Sequence, residues 1–244
     1  MTRVIVSGAA GRMGRMVSRA VVDQDDLELV AGYDPAPEEA VYQDPADLPE
    51  ADVVVEFTNP GVVLDNLALW RDRGSHVVVG TSGFSEDRIE AVRRLFGDGP
   101  PNCLIVPNFS IGAVLAMLFA AEAAAHFPAA EIIELHHDGK VDAPSGTAIA
   151  TAGRIAASGR QQRIVESTEL VPGARGAAVE GVPVHAIRLP GLVAHQEVIL
   201  GGTGETLTIR HDTTDRQAFI PGVLLGIRSV ASLRGVTVGL EPLL

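Results

Sequence analysis

The sequence predicts an α/β protein: a parallel sheet covered on both faces, joined to a second, mixed α/β region. Three observations predict it. Short Val/Ile-rich runs alternate with helical spacings over roughly the first 110 residues. A glycine-rich turn directly follows the first of these runs. Between about 184 and 211, three runs read instead as neighbouring strands of an antiparallel or mixed sheet.

Arg3-Val-Ile-Val-Ser7 is the first strand, and Gly8-Ala-Ala-Gly11-Arg-Met-Gly14 follows it at once. These glycines depart from the strict G-x-G-x-x-G spacing but keep its logic of tight turn, close approach to a pyrophosphate and close helix packing. Arg12 to Val22 is the first helix, with Arg12 placed to reach a phosphate. Leu27 to Tyr33 is the second strand, and Asp34 at its end stands where a carboxylate accepts hydrogen bonds from an adenosine ribose. Strand, glycine turn, helix, strand and terminal acid, in that order, point to a dinucleotide site.

The pattern continues through strands Ala51–Phe57, His76–Gly80 and Cys103–Val106, the first two leading into helices that reach about Arg73 and Phe96. Nearly continuous Val/Ile runs suit a parallel sheet buried on both faces, and loops at the carboxyl ends of such strands bind ligands. Thr58, Gly80, Thr81 and Asn108 are therefore candidate cofactor-lining residues. Ile111 to about His126 reads as a buried helix, interrupted by Glu122 and too short to span a bilayer.

Glu131-Ile-Ile-Glu134 alternates like a half-buried strand, so His136 and His137 are expected to point to opposite sides of the chain. Asp138-Gly139 reads as a turn, and Pro144-Ser-Gly-Thr147 as a helix start with a capping hydroxyl and outward backbone N–H groups. Such an end attracts anions. The stretch thus combines titratable imidazoles, the Lys140 ammonium and an anion cradle, which is equipment for protonating a small carboxylated substrate. The new helix is expected to stop at Gly159, before a long loop over 161–181. Strands Val184–Leu189, His195–Leu200 and Glu205–His211 follow, and helical spacing returns from Arg216 to about Leu233, packing back onto the first domain. The expected division is a dinucleotide-binding domain of 1–107 and 216–244, and a substrate-binding and oligomerisation domain of 108–215.

A net charge of −12 without a basic run argues against nucleic acid and anionic membrane surfaces. One cysteine, Cys103 in an apolar strand, excludes an intrachain disulfide and fits a reducing, cytoplasmic setting. The first strand begins almost at once, leaving no room for a signal peptide. No metal is expected.

The chain resembles the 4-hydroxy-tetrahydrodipicolinate reductase (dihydrodipicolinate reductase) family over nearly its full length. The residues carrying the resemblance are Gly8–Gly14, Val79-Gly-Thr-Ser-Gly-Phe84, Pro107-Asn-Phe-Ser110, Glu134-Leu-His-His to Ala148, and Arg188-Leu-Pro-Gly-Leu-Val-Ala-His-Gln-Glu197. It implies a Rossmann-type domain, a substrate domain built mainly on a four-stranded sheet, and a homotetramer formed through those sheets. It implies reduction of 4-hydroxy-tetrahydrodipicolinate by NADH or NADPH in lysine and diaminopimelate biosynthesis. His136 matches the catalytic acid and Lys140 a second essential donor. His137 matches a substrate-binding imidazole; Ser145, Gly146 and Thr147 are the expected substrate-binding residues of the helix start. Gly8, Ala9, Ala10, Gly11, Arg12, Met13, Asp34, Gly80, Thr81, Ser82, Val106, Pro107, Asn108 and Phe109 match the dinucleotide contacts. The loop after Asp34 has no Lys or Arg before Arg71, so NADH is expected to be favoured with NADPH still used, and Asp138-Gly139 stands where many members carry other polar or basic residues. Another small-substrate dehydrogenase of similar architecture and a non-catalytic NAD(H) sensor are the alternative readings.

Overall fold

The structure is a computed structural model and describes residues 1–35, 41–159, 163 and 167–244. It divides into two compact units, Met1–Ser110 with Phe219–Leu244, and Ile111–Ala218.

The first unit is built on a six-stranded, all-parallel sheet. Its strands are β1 (Thr2–Ser7), β2 (Leu27–Tyr33), β3 (Val53–Glu56), β4 (His76–Val79), β5 (Cys103–Ile105) and β11 (Val236–Val238), in the order β11-β5-β4-β3-β1-β2. The Val-Val-Val runs of β3 and β4 are buried on both sides, which is why no polar alternation marks them. Helices α2 (Val63–Asp72) and α3 (Glu86–Phe96) cover one face, where Leu67, Trp70, Val92 and Phe96 pack with Ile5, Val54, Val79 and Ile105. Helices α1 (Arg12–Val22) and α6 (Ile220–Ser229) lie together, and α6 also packs on β4. A Cβ on Gly226 would press on Val78, so α6 sits close to the sheet. The chain runs from β1 outward to β2 and then to β3 on the other side, so the order reverses at β1. The crevice beyond the carboxyl ends of β1 and β3 is where this topology places a ligand.

The second unit carries a five-stranded mixed sheet, not the four strands expected. Its strands are β6 (Ala129–His136), β7 (Ala177–Val179), β8 (Val182–Arg188), β9 (Ala194–Gly202) and β10 (Glu205–Thr213), in the order β10-β9-β6-β8-β7. Among the described residues of this sheet, only β6 and β8 pair in parallel. Helices α4 (Ile111–Ala124) and α5 (Gly146–Ala156) pack with Ile132, Val184, Val198 and Leu200 on one face. The alternate residues Ile133, Leu135, Ile187 and Ile199 stay partly exposed on the other.

Several boundaries differ from expectation. The helix expected over 216–233 is a 3-10 turn at Arg216–Phe219, then α6, then a second 3-10 turn at Val230–Ser232. Pro221 at the start of α6 explains the break, because proline suits the first helical turn and cannot sit further in. Helix α5 ends at Ala156, three residues before Gly159. Strands β7 and β11 were not anticipated, and β7 falls inside the expected 161–181 loop, part of which lies outside the described residues.

Candidate active site

At the end of β1 the backbone turns on Gly8, at φ 80°, where a side chain is strained. The N–H groups of Gly8 and Ala9 both donate to the Tyr33 carbonyl, at 2.9 and 3.1 Å, tying the turn to the end of β2. A Cβ on Gly8 would overlap the Phe57 carbonyl oxygen, and one on Gly14 would overlap that of Gly8. Both glycines are thus required by close backbone approach. Helix α1 starts at Arg12 behind Gly11, with no side-chain cap on its first N–H groups. Such an uncapped start holds backbone donors for a phosphate, with Arg12 and Met13 in its first turn. Asp34 lies beside this turn and accepts a hydrogen bond from the Ala10 N–H at 3.2 Å. Glycine cradle, helix start and ribose-side acid stand together, so the residues present fit a dinucleotide. Residues 36–40, beyond Asp34, lie outside the described residues.

The other nucleotide candidates line the neighbouring strand ends. A Cβ on Gly80 would overlap the Phe57 ring, and Phe57 packs against Phe109 with centroids 5.6 Å apart. Thr81 is buried with its hydroxyl on the Glu56 carbonyl at 3.4 Å, whereas Ser82 and Pro107 are exposed. Val106 donates to the Val79 carbonyl, and Asn108 Oδ1 accepts from the Ser110 N–H at 2.9 Å. Thr58 donates to Glu56, a buried carboxylate that also accepts from Trp70 Nε1 at 2.8 Å and Asn66 Nδ2 at 3.2 Å.

In the second unit, β6 ends at His136, so strand alternation does not govern His137 as expected. His137 opens a turn that the Lys140 N–H closes on its carbonyl at 3.1 Å. His136 Nδ1 lies 2.5 Å from Oε2 of Glu134, two residues earlier on the same strand face and wholly buried. Arg188, opposite His136 on β8, grips both Glu134 oxygens at 2.8 Å and also donates to the Asp142 carbonyl at 2.7 Å. Lys140 Nζ rests on both carboxylate oxygens of Asp142 at 2.7 Å. Ser145 is buried; its Oγ caps α5 by accepting from the Ala148 N–H, and its own N–H donates to Glu134 at 3.1 Å. That hydroxyl therefore serves the helix. Gly146 is exposed and Thr147 half-buried at the helix start.

Burial pushes the His136 pKa down, as do Lys140 and Arg188; the hydrogen bond and charge of Glu134 oppose this without cancelling it. Burial also works against the Glu134 carboxylate, but hydrogen bonds from Arg188 and His136 prevail and hold it below the usual carboxylate range. The Lys140 ammonium holds Asp142 low as well. The segment from Glu134 to Thr147 thus brings together an imidazole, an ammonium paired with Asp142 and a helix start, around the Glu134–Arg188 ion pair. Among the described residues, no group of His, Cys, Asp and Glu could hold a metal ion.

Two family profiles match end to end: "Dihydrodipicolinate reductase, N-terminus" over residues 2–109 and "Dihydrodipicolinate reductase, C-terminus" over 112–244. The chain belongs to the dihydrodipicolinate reductase family. A 4-hydroxy-tetrahydrodipicolinate reductase of Cutibacterium acnes is 51% identical, covering 100% of this chain and 99% of the relative. One from Thermobifida fusca is 53% identical with the same coverage. The solved dipicolinate-bound dihydrodipicolinate reductase of Paenisporosarcina sp. TG-14 superposes with a TM-score of 0.86 at 37% identity, covering all of both chains. Membership makes this chain an oxidoreductase and sets aside the sensor and the unrelated dehydrogenase. Glu134, Arg188, Asp142 and Phe57 were not singled out from the sequence. Glu134 had a readable signal, since i and i+2 on a strand share a face with His136. Arg188 stood in a motif that carried the resemblance, but its pairing with Glu134 had no local signal, because the two are 54 residues apart.

Proposed function

We infer that this chain reduces 4-hydroxy-tetrahydrodipicolinate to tetrahydrodipicolinate with NAD(P)H, with His136 as the proton donor. The observation that supports this best is the Glu134–His136–Arg188 cluster, set beside Lys140 and the start of α5. The balance is one substrate, one NAD(P)H and one proton giving product, NAD(P)⁺ and water. When bound, the nicotinamide supplies hydride to the conjugated imine left by loss of the hydroxyl. Negative charge then builds on the substrate, and the His136 imidazolium returns a proton to it. Lys140 exchanges Asp142 for a substrate carboxylate, while the Gly146 and Thr147 end of α5 takes a carboxylate on backbone donors and the Thr147 hydroxyl. His137, on the turn between them, contacts the same dianion.

In the first unit, Gly8 to Met13 hold the pyrophosphate, Asp34 the adenosine ribose, and Gly80–Ser82 with Val106–Phe109 the remainder of the nucleotide. Asp34 favours NADH by accepting from the ribose diol and repelling a 2′-phosphate. The loop Ala36-Pro-Glu-Glu-Ala40 adds two acids and no base, so nothing in its composition offsets that repulsion.

Four copies assemble through the outer face of the second sheet. Its partly exposed Ile133, Leu135, Ile187 and Ile199 are interleaved with the ion pairs Glu131–His185, Glu131–Arg175, His195–Asp212 and Arg210–Glu197. The setting is cytoplasmic, in keeping with the single free thiol of Cys103.

The test is loss of reduced-nicotinamide absorbance with 4-hydroxy-tetrahydrodipicolinate. Saturable turnover, inhibited competitively by pyridine-2,6-dicarboxylate, is expected. Tight NADH binding without turnover would overturn the assignment.

A further inference from the structure

We propose that Glu134 is a positioning residue that fixes which nitrogen of His136 delivers the proton. This deepens the reading of His136 as the acid and rests on it. Glu134 is wholly buried, and each of its oxygens meets two donors. Oε1 accepts from Arg188 Nη2 at 2.8 Å and from the Ser145 N–H at 3.1 Å. Oε2 accepts from Arg188 Nη1 at 2.8 Å and faces His136 Nδ1 at 2.5 Å.

An ionised carboxylate only accepts, so the nitrogen facing it must carry hydrogen. With the bidentate arginine keeping Glu134 charged, a bare Nδ1 would set a lone pair against an anion. Nδ1 therefore holds its hydrogen in both protonation states of His136. The proton that leaves is the one on Nε2. As the Nε2–H bond breaks, its electron pair stays on Nε2 and the hydrogen bonds to the reduced substrate. The ring becomes the neutral Nδ1–H tautomer without losing its tie to Glu134, and solvent reprotonates Nε2 for the next cycle.

The same carboxylate sets the parts around the ring. Through Ser145 it holds the N-cap of α5, and through Arg188 it reaches the carbonyl of Asp142, two residues beyond Lys140. The groups facing His136 are Glu134 on β6, Arg188 on β8 and Lys140 on the turn, while β9 presents uncharged Ala194 and Gln196 opposite the pair. Glu134 is the one anion among them. It alone favours the imidazolium, and losing its charge should lower the pKa of the ring.

The tautomer is read first in the unaltered protein, by ¹⁵N NMR of the His136 ring above its pKa. The Nδ1–H form is expected, and a dominant Nε2–H form would overturn the proposal. Glu134→Gln should lower kcat by about 10²-fold, the low end of what general acid help supplies. It should also move the high-pH fall of kcat to lower pH. In a His136→Gln background the same change should cost less than about twofold, because residues acting as one unit are not additive. Additive losses, or an unmoved pH limb, would make Glu134 a merely structural ion-pair partner. If His136→Gln itself leaves kcat unchanged, the assignment of the acid fails instead, and the two failures are distinct.

Discussion

With His136 as the proposed acid, its titration sets how the site should respond to pH. Its pKa is depressed below the ordinary imidazole value of about 6.5 by burial, Lys140 and Arg188. A general acid must be protonated to act, so kcat/KM for the unliganded chain should decline as pH rises through a value below 6.5. A bound dianion restores negative charge beside the ring and raises that pKa. The kcat limb is therefore expected at higher pH than the kcat/KM limb, and binding of pyridine-2,6-dicarboxylate near neutrality should take up protons, measurable by calorimetry in buffers of different ionisation heat. Coincident limbs and no proton uptake would mean that His136 does not share charge with the substrate. His136→Gln should cut kcat by about 10²-fold or more, whereas His137→Gln should act mainly on KM. Asp34→Ser with Pro35→Arg should move the ratio of kcat/KM toward NADPH by removing a repulsion and adding a partner. A native preference for NADPH of about tenfold or more, worth about 1.4 kcal/mol, would sink the reading of Asp34. At this scale the sequence was most legible where chemistry is local. The His-His-Lys block and the glycine turn each lie on one short stretch, whereas the Glu134–Arg188 clamp exists only once β6 and β8 pair.

On the proposed reading, the start of α5 separates two roles, one carried by Ser145 and one by Thr147. Ser145 caps the helix through Oγ and is buried, so Ser145→Ala should lower unfolding stability by about 1 kcal/mol, the usual cost of a lost N-cap. Thr147→Val keeps the shape but deletes the hydroxyl proposed to face the ligand, and should weaken pyridine-2,6-dicarboxylate by about 1.5–3 kcal/mol, more than it lowers unfolding stability. Calorimetric Kd and thermal unfolding, measured on both variants, check the division; the opposite pattern would exchange the roles. Elements were readable from sequence in proportion to their length and uniformity. The Val/Ile runs of β3 and β4 and the amphipathic spacing of α1 and α3 declared themselves. Strands β7 and β11 have three residues each, too few for alternation to register, and they form because β8 and β5 each offer an edge. Pro221 did mark the start of α6, but the flanking 3-10 turns share its apolar spacing and merge with it on paper.

At the scale of the whole molecule, the charge of −12 and the uncovered sheet face act against each other. Like-charged copies repel, and the repulsion is screened beyond a Debye length of about 8 Å at physiological ionic strength. In the proposed assembly, the outer face would offset this with aliphatic side chains that are partly exposed in a single chain, and with ion pairs already formed within that chain. Ile199 tests this balance well. It lies on β9 opposite Glu131 and Thr208, away from His136, and its side chain is only partly buried. Ile199→Lys should therefore be tolerated within one chain, while placing an ammonium in a desolvated contact between copies. Glu131 opposite is already held by Arg175 and His185, so the added charge would be poorly compensated, and burying such a charge costs several kcal/mol. Sedimentation and light scattering should show a tetramer for the unaltered chain and a smaller species for Ile199→Lys, with unchanged far-ultraviolet circular dichroism. Because net repulsion opposes assembly, the smaller species should predominate most at low salt. A tetramer that persists in Ile199→Lys at every salt concentration would place the subunit contacts on another surface.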